Sequence, residues 1–77
     1  MTMQIIDVVV LTRALPGRDL RRGDLGTIVE QCGPHSVGVE FVAASGRTQA
    51  LVTLCPDELR SVADNDLVAV RPAHATT

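Results

Sequence analysis

Two runs of the chain, Val37 to Val42 and Thr48 to Leu54, place apolar residues at every second position, and they flank the stretch Ala43-Ala44-Ser45-Gly46-Arg47. Period-two alternation on both sides of a short glycine-containing stretch predicts a β-hairpin. Val37, Val39 and Phe41 share one parity, and Ala50, Val52 and Leu54 share one in the second run, so one face of the hairpin is wholly apolar. A two-residue turn at Ser45-Gly46 sets Phe41 opposite Ala50 and Val39 opposite Val52. It turns Gly38, Glu40, Gln49 and Thr53 toward water.

Upstream, Asp7-Val8-Val9-Val10-Leu11-Thr12 is a short continuous apolar run rich in β-branched residues. Such a run predicts a strand covered on both faces. Arg13 to Asp24 carries Pro16, Gly17 and Gly23 among charged residues and reads as a long ordered connection. Leu25 to Cys32 resumes as a strand, which Gly33-Pro34 ends. Cys55-Pro56-Asp57-Glu58-Leu59 predicts one helical turn, with proline at the first helical position and an acidic pair at the positive end of the peptide dipoles. Leu59 is its expected core anchor. Arg60-Ser61-Val62 forms a brief closing strand and Asp64-Asn65-Asp66 a turn. Leu67 to Val70 is a candidate sixth strand, and Arg71 to Thr77 is expected to be a loose tail.

The order of elements is strand, long charged loop, three strands joined by tight turns, one helical turn and a short last strand. This predicts an all-β fold: a small SH3-like barrel of five or six strands over residues 1–63, followed by a C-terminal extension over residues 64–77. Closure is expected because it removes exposed sheet edges. A chain of 77 residues has room for a single domain, one that buries only about 60% of the surface its unfolded form exposes. Its 45% hydrophobic and 21% charged residues are those of a folded protein.

Four stretches also resemble a known family: Asp7 to Leu11, Leu20 to Glu30 with its Gly23-Asp24-Leu25-Gly26-Thr27 segment, Val39 to Val42, and Gly46 to Leu54. Together they resemble the small bacterial proteins of the domain of unknown function 4926, over about residues 5 to 63. The resemblance implies a compact SH3-like fold and brings no activity with it. Gly23 to Val29 is also loosely similar to the glycine-centred motif of ribosome- and RNA-associated SH3-like domains. Positive φ or a bulge at Gly23 and Gly26 explains the same residues equally well.

Charge and chemistry narrow the function. The formal net charge is −2 and all seven basic residues are Arg, a balance that makes nucleic acid an unlikely general partner, because phosphate affinity comes largely from basic charge. No apolar run approaches the roughly 20 residues of a membrane helix, and Met1 to Leu11 lacks the features of a secretory signal. A cytoplasmic protein is expected, with Cys32 and Cys55 reduced.

Arg13, Arg18, Arg21 and Arg22 crowd the first loop, where guanidinium groups can grip carboxylates or phosphates in paired hydrogen bonds; a merely solvated loop is the plainer reading. Cys32 and His35 lack the orienting group and oxyanion site of a nucleophilic centre, and His74 falls in the tail. Asp7, Glu40, Asp57 and Glu58 are expected at strand ends and a helix start, without a shared cleft. Phe41 is the single aromatic residue and has the parity of the core, which excludes an aromatic polyproline groove and base stacking. Val9, Leu11, Val42 and Leu51 are apolar where a half-exposed sheet is often polar. They are expected either as satellite core or as a patch for self-association or a partner.

No catalytic residue, cofactor or metal site is expected. The leading expectation is a non-catalytic protein-interaction module, pairing with a partner protein or with itself through an apolar face that includes Leu51 and is rimmed by Arg13, Arg18, Arg21 and Arg22. An RNA- or ribosome-associated module, and an auxiliary domain of an enzyme encoded elsewhere, are the alternatives.

Overall fold

The computed structural model describes residues 3–73. Strands β1 (Val8–Leu11), β2 (Leu25–Gly33), β3 (Ser36–Val42), β4 (Thr48–Leu54) and β5 (Leu59–Ser61) form one antiparallel sheet in the order β4-β3-β2-β1-β5. The all-β architecture of five strands is therefore the expected one. Short 3-10 turns occupy Pro16–Arg18 in the first loop and Pro56–Glu58 before β5. The second is the helical turn that Pro56 predicted. Its Glu58 carboxylate accepts the Cys55 backbone N–H at 3.0 Å.

The β3–β4 hairpin has the register read from parity, with Phe41 opposite Ala50 and Val39 opposite Val52. A shift between Phe41 and Val42 then pairs Val42 with Thr48. Gly46 sits at φ 90° in the connecting loop, a region that costs an L side chain but not glycine. A second shift between Ile28 and Glu30 on β2 leaves Val29 exposed.

One core collects the inward residues: Val9 and Leu11 from β1, Ile28 from β2, Val37, Val39 and Phe41 from β3, Leu54 from β4 and Leu59 from β5, with Leu20 from the first loop. The sheet's end strands, β4 and β5, make no ladder with each other. Leu54 and Leu59 nevertheless meet in the same core, because the 3-10 turn between them carries the chain from one end of the sheet to the other.

Three expectations are corrected. Val9 and Leu11 are fully buried and cannot belong to an outward patch; an unbroken apolar run has no parity of its own, and pairing with Gly26 and Ser61 decides it for Val9. Leu67 to Val70 forms no strand. Its neighbour Arg71 is not loose, since its guanidinium binds Asp24. The rest of the expected tail, from His74 on, lies outside the described residues.

Gly23 has φ 96°, as one of the two sequence explanations required. Gly26 has neither positive φ nor a bulge. A Cβ there would stand 2.5 Å from Val39 Cγ1 and 2.9 Å from Phe41 Cε1, so close packing excludes a side chain.

Candidate functional site

The outer face of β1 is where the C-terminal extension returns. After β5 the chain turns at Ala63–Asp66, where the Asp66 carboxylate accepts the Ala63 N–H at 2.7 Å and binds the Arg60 guanidinium through both oxygens, at 2.8 and 3.0 Å. Such paired hydrogen bonds fix direction as well as distance. Arg60 lies opposite Val10 on the neighbouring strand, so this ion pair aims the returning segment along β1.

Five residues after Asp66 the segment is anchored again. Arg71 donates from Nε and Nη2 to the two Asp24 oxygens, at 3.0 and 2.6 Å, and from Nη2 to the Asp19 carbonyl at 3.0 Å. Asp24 also accepts the Arg21 backbone N–H at 2.8 Å. Its own backbone carbonyl receives the Leu11 N–H at 2.9 Å, which ties the anchor to the core strand. Between the anchors, Leu67, Val68 and Val70 are 95%, 72% and 97% exposed, whereas Val10 in the same groove is only 5% exposed.

The resulting groove has a volume of about 320 Å³ and runs between this segment and the end of the first loop, with Arg21 and Arg22 on its rim. Neither guanidinium makes an ion pair among the described residues. A second, more apolar cleft of about 610 Å³ lies on the other side of Ala69–Ala73, against Leu25 and the β3–β4 turn.

The expected site residues are divided by this geometry. Arg21 and Arg22 come together on the groove. Arg13 and Arg18 line a separate concavity beside Leu15 and Val52, where Arg13 is held by Glu58 at 2.7 Å. Leu51 is 59% exposed on the outer face of β4, opposite Glu40, and lines none of these three depressions. The sequence offers Leu67 to Val70 as a candidate sixth strand and not as part of a site. The usable signal was an apolar run following a closing strand with no further partner.

The carboxylates considered for acid–base work are used separately. Asp7 accepts the Gln4 N–H at 2.8 Å, Glu40 accepts the Thr48 hydroxyl at 2.5 Å, and Glu58 is held by Arg13 and the Cys55 N–H. Cys32 Sγ lies 3.9 Å from Thr53 Oγ1, across the side-chain-free Gly38. Among the described residues no three His, Cys, Asp or Glu side chains gather as a metal site, and no helix is long and apolar enough to cross a membrane.

Both anchors depend on an ionised aspartate. Partial burial pushes the Asp24 carboxyl up, but the Arg71 guanidinium and the Arg21 N–H outweigh it and hold it below the usual range. Asp66 is lowered to about 2 by Arg60, and further by the Ala63 N–H. Carboxyls depressed in the folded state stabilise fully above the unfolded value of about 3.9, and that contribution is lost as pH falls through the folded value. Acid titration from about pH 4 down through about 2, the folded value of Asp66, is therefore expected to weaken the anchors and release the segment. The Val10 and Val70 methyl resonances shift over that window while those of Val39 hold, and Arg71→Gln reproduces the shift at neutral pH. Unchanged Val10 resonances in Arg71→Gln would show that the anchor does not seat the segment.

The family model for the domain of unknown function 4926 matches residues 5–61. Searches of curated proteins and of solved structures find no match. The chain belongs to the domain of unknown function 4926 family.

Proposed function

We propose that this member of the family is a non-catalytic protein-interaction module whose contact surface is the anchored segment Leu67–Val70 with Arg21 and Arg22 beside it. The observation that carries this reading is the exposure of Leu67, Val68 and Val70, near-complete for Leu67 and Val70, on a segment clamped at both ends. Contiguous exposed apolar side chains mark surfaces that a partner covers. Clamping removes in advance part of the ordering cost that association otherwise carries. Leu51, Arg13 and Arg18, expected in the same surface, stand outside it.

The scaffold is read as SH3-like because five antiparallel strands follow one another as a meander, with β5 returning beside β1 after a 3-10 turn. Two free, exposed cysteines suit the reduced cytoplasm that this reading assumes. The unpaired Arg21 and Arg22 favour an RNA-associated module as the second reading, through phosphate contacts.

Capture of partners from native lysate separates the two. The tagged chain is expected to retain a protein at near-equal amounts after nuclease treatment and to lose it on Val68→Asp/Val70→Asp. Material that disappears with nuclease, or a partner indifferent to the double substitution, rejects the proposed surface.

A further inference from the structure

The charge of the groove is opposite in sign to that of the chain. Its lining holds Arg21, Arg22, Arg60 and Arg71 against Asp24 and Asp66, four positive side chains to two negative, on a chain of formal net charge −2. The other three Arg and the seven remaining Asp and Glu do not line it, although Asp19 lies close enough to Arg71 to act on its charge. Within the groove the two aspartates are already consumed by Arg60 and Arg71. The charge not taken up in an ion pair among the described residues is therefore that of Arg21, which is within electrostatic reach of Asp24, and of Arg22, both on exposed side chains beside the apolar strip.

We infer that the groove takes a partner protein's segment in which aliphatic residues lie next to two or more carboxylates. The aliphatic side chains cover Leu67, Val68 and Val70, and the carboxylates accept paired hydrogen bonds from Arg21 and Arg22. Potential of this sign also steers an acidic segment to the groove and turns basic partners away. An aliphatic strip offers no ring for a nucleobase to stack on, and Phe41, the single aromatic residue, is buried in the core. A protein segment thus fits the surface better than a nucleic acid does. This inference rests on the interaction surface proposed above and adds the class of its partner.

The test is selection from a randomised twelve-residue peptide library displayed on phage, using the full chain as bait, followed by binding of the most enriched peptide in solution. Wild type is expected to enrich peptides that combine aliphatic residues with at least two Asp or Glu. Arg21→Glu/Arg22→Glu is expected to weaken the enriched peptide at least tenfold and to shift selection toward Arg- and Lys-containing peptides. Arg13→Glu/Arg18→Glu makes the same charge change at the other concavity and is expected to leave selection as it was. A backbone amide NMR spectrum verifies that each variant is folded.

Enrichment of uncharged or basic peptides by wild type, no enrichment over an empty surface, or equal loss in both double variants overturns the inference. So does tighter binding of a labelled twenty-nucleotide poly-uridine than of any selected peptide, and so does self-association in sedimentation that Arg21→Glu/Arg22→Glu abolishes. If selection fails while a lysate partner is still lost on Val68→Asp/Val70→Asp, the surface stands and only the partner class is wrong. If both fail, the surface itself is wrong.

Discussion

Phe41→Ala is expected to cost about 3–5 kcal/mol, the largest loss of stability for a single side chain in this domain. Phe41 is 3% exposed and packs in the core with Val37 and Val39 of its own strand and Leu54 of the next. Natural domains hold roughly 0.05–0.15 kcal/mol per residue, which for a chain of this length is about 4–12 kcal/mol in all. One truncation therefore removes a large part of the total. The chain has neither Trp nor Tyr, so urea unfolding is best followed by far-ultraviolet circular dichroism. Leu51→Ala is the control: it lies on the adjacent strand with the opposite parity, and its cost is expected to stay within about 0.5 kcal/mol. A larger loss in Leu51→Ala than in Phe41→Ala would mean that the hairpin turns its other face to the core.

That pair of substitutions also marks where the sequence could be read and where it could not. In β3 and β4 apolar and polar residues alternate, so parity fixes both the face and the register, and the observed partners of Val39 and Phe41 are those expected. In β1 the run Val8 to Leu11 is apolar throughout and carries no parity. Only its pairing with β2 and β5 sends Val9 and Leu11 inward and leaves Val10 under the returning segment. Leu67 to Val70 fails for another reason. It has the composition of a strand, but ion pairs at Asp66 and Arg71 set its path over the outer face of β1, not along a sheet edge. The decisive contact, Arg71 with Asp24, spans 47 positions. No local pattern encodes such a distance. The four Arg of the first loop look like one cluster in sequence, yet the 3-10 turn at Pro16–Arg18 and the Leu15–Leu20 bridge fold the loop on itself. Arg13 and Arg18 then face one concavity and Arg21 and Arg22 another.

Gly26→Ala is the second large effect, an expected loss of about 1–3 kcal/mol from adding one methyl group. The new Cβ would meet Val39 Cγ1 at 2.5 Å and Phe41 Cε1 at 2.9 Å, and both partners are buried in the core with little room to move. Backbone conformation is not the cause, because Gly26 lacks positive φ. The two causes are separable by a double-mutant cycle. If the clash is with Val39, Val39→Ala opens the space, and the pair Gly26→Ala/Val39→Ala destabilises by less than the sum of the single losses, with a coupling of about 0.5–3 kcal/mol. Strict additivity would locate the strain elsewhere. The same cycle bears on the groove, since the segment that most specifically carries the family resemblance divides its work there. Gly23 makes the left-handed turn and Asp24 receives Arg71. Leu25 lines the groove, and Gly26 lets β2 close onto Val39 and Phe41. Core packing at Gly26 and the anchor at Asp24 are two residues apart on one strand entry. Gly26→Ala is therefore expected to shift the Val10 and Val70 methyl resonances as well as the unfolding midpoint, whereas Arg71→Gln moves those resonances with far less change in the midpoint.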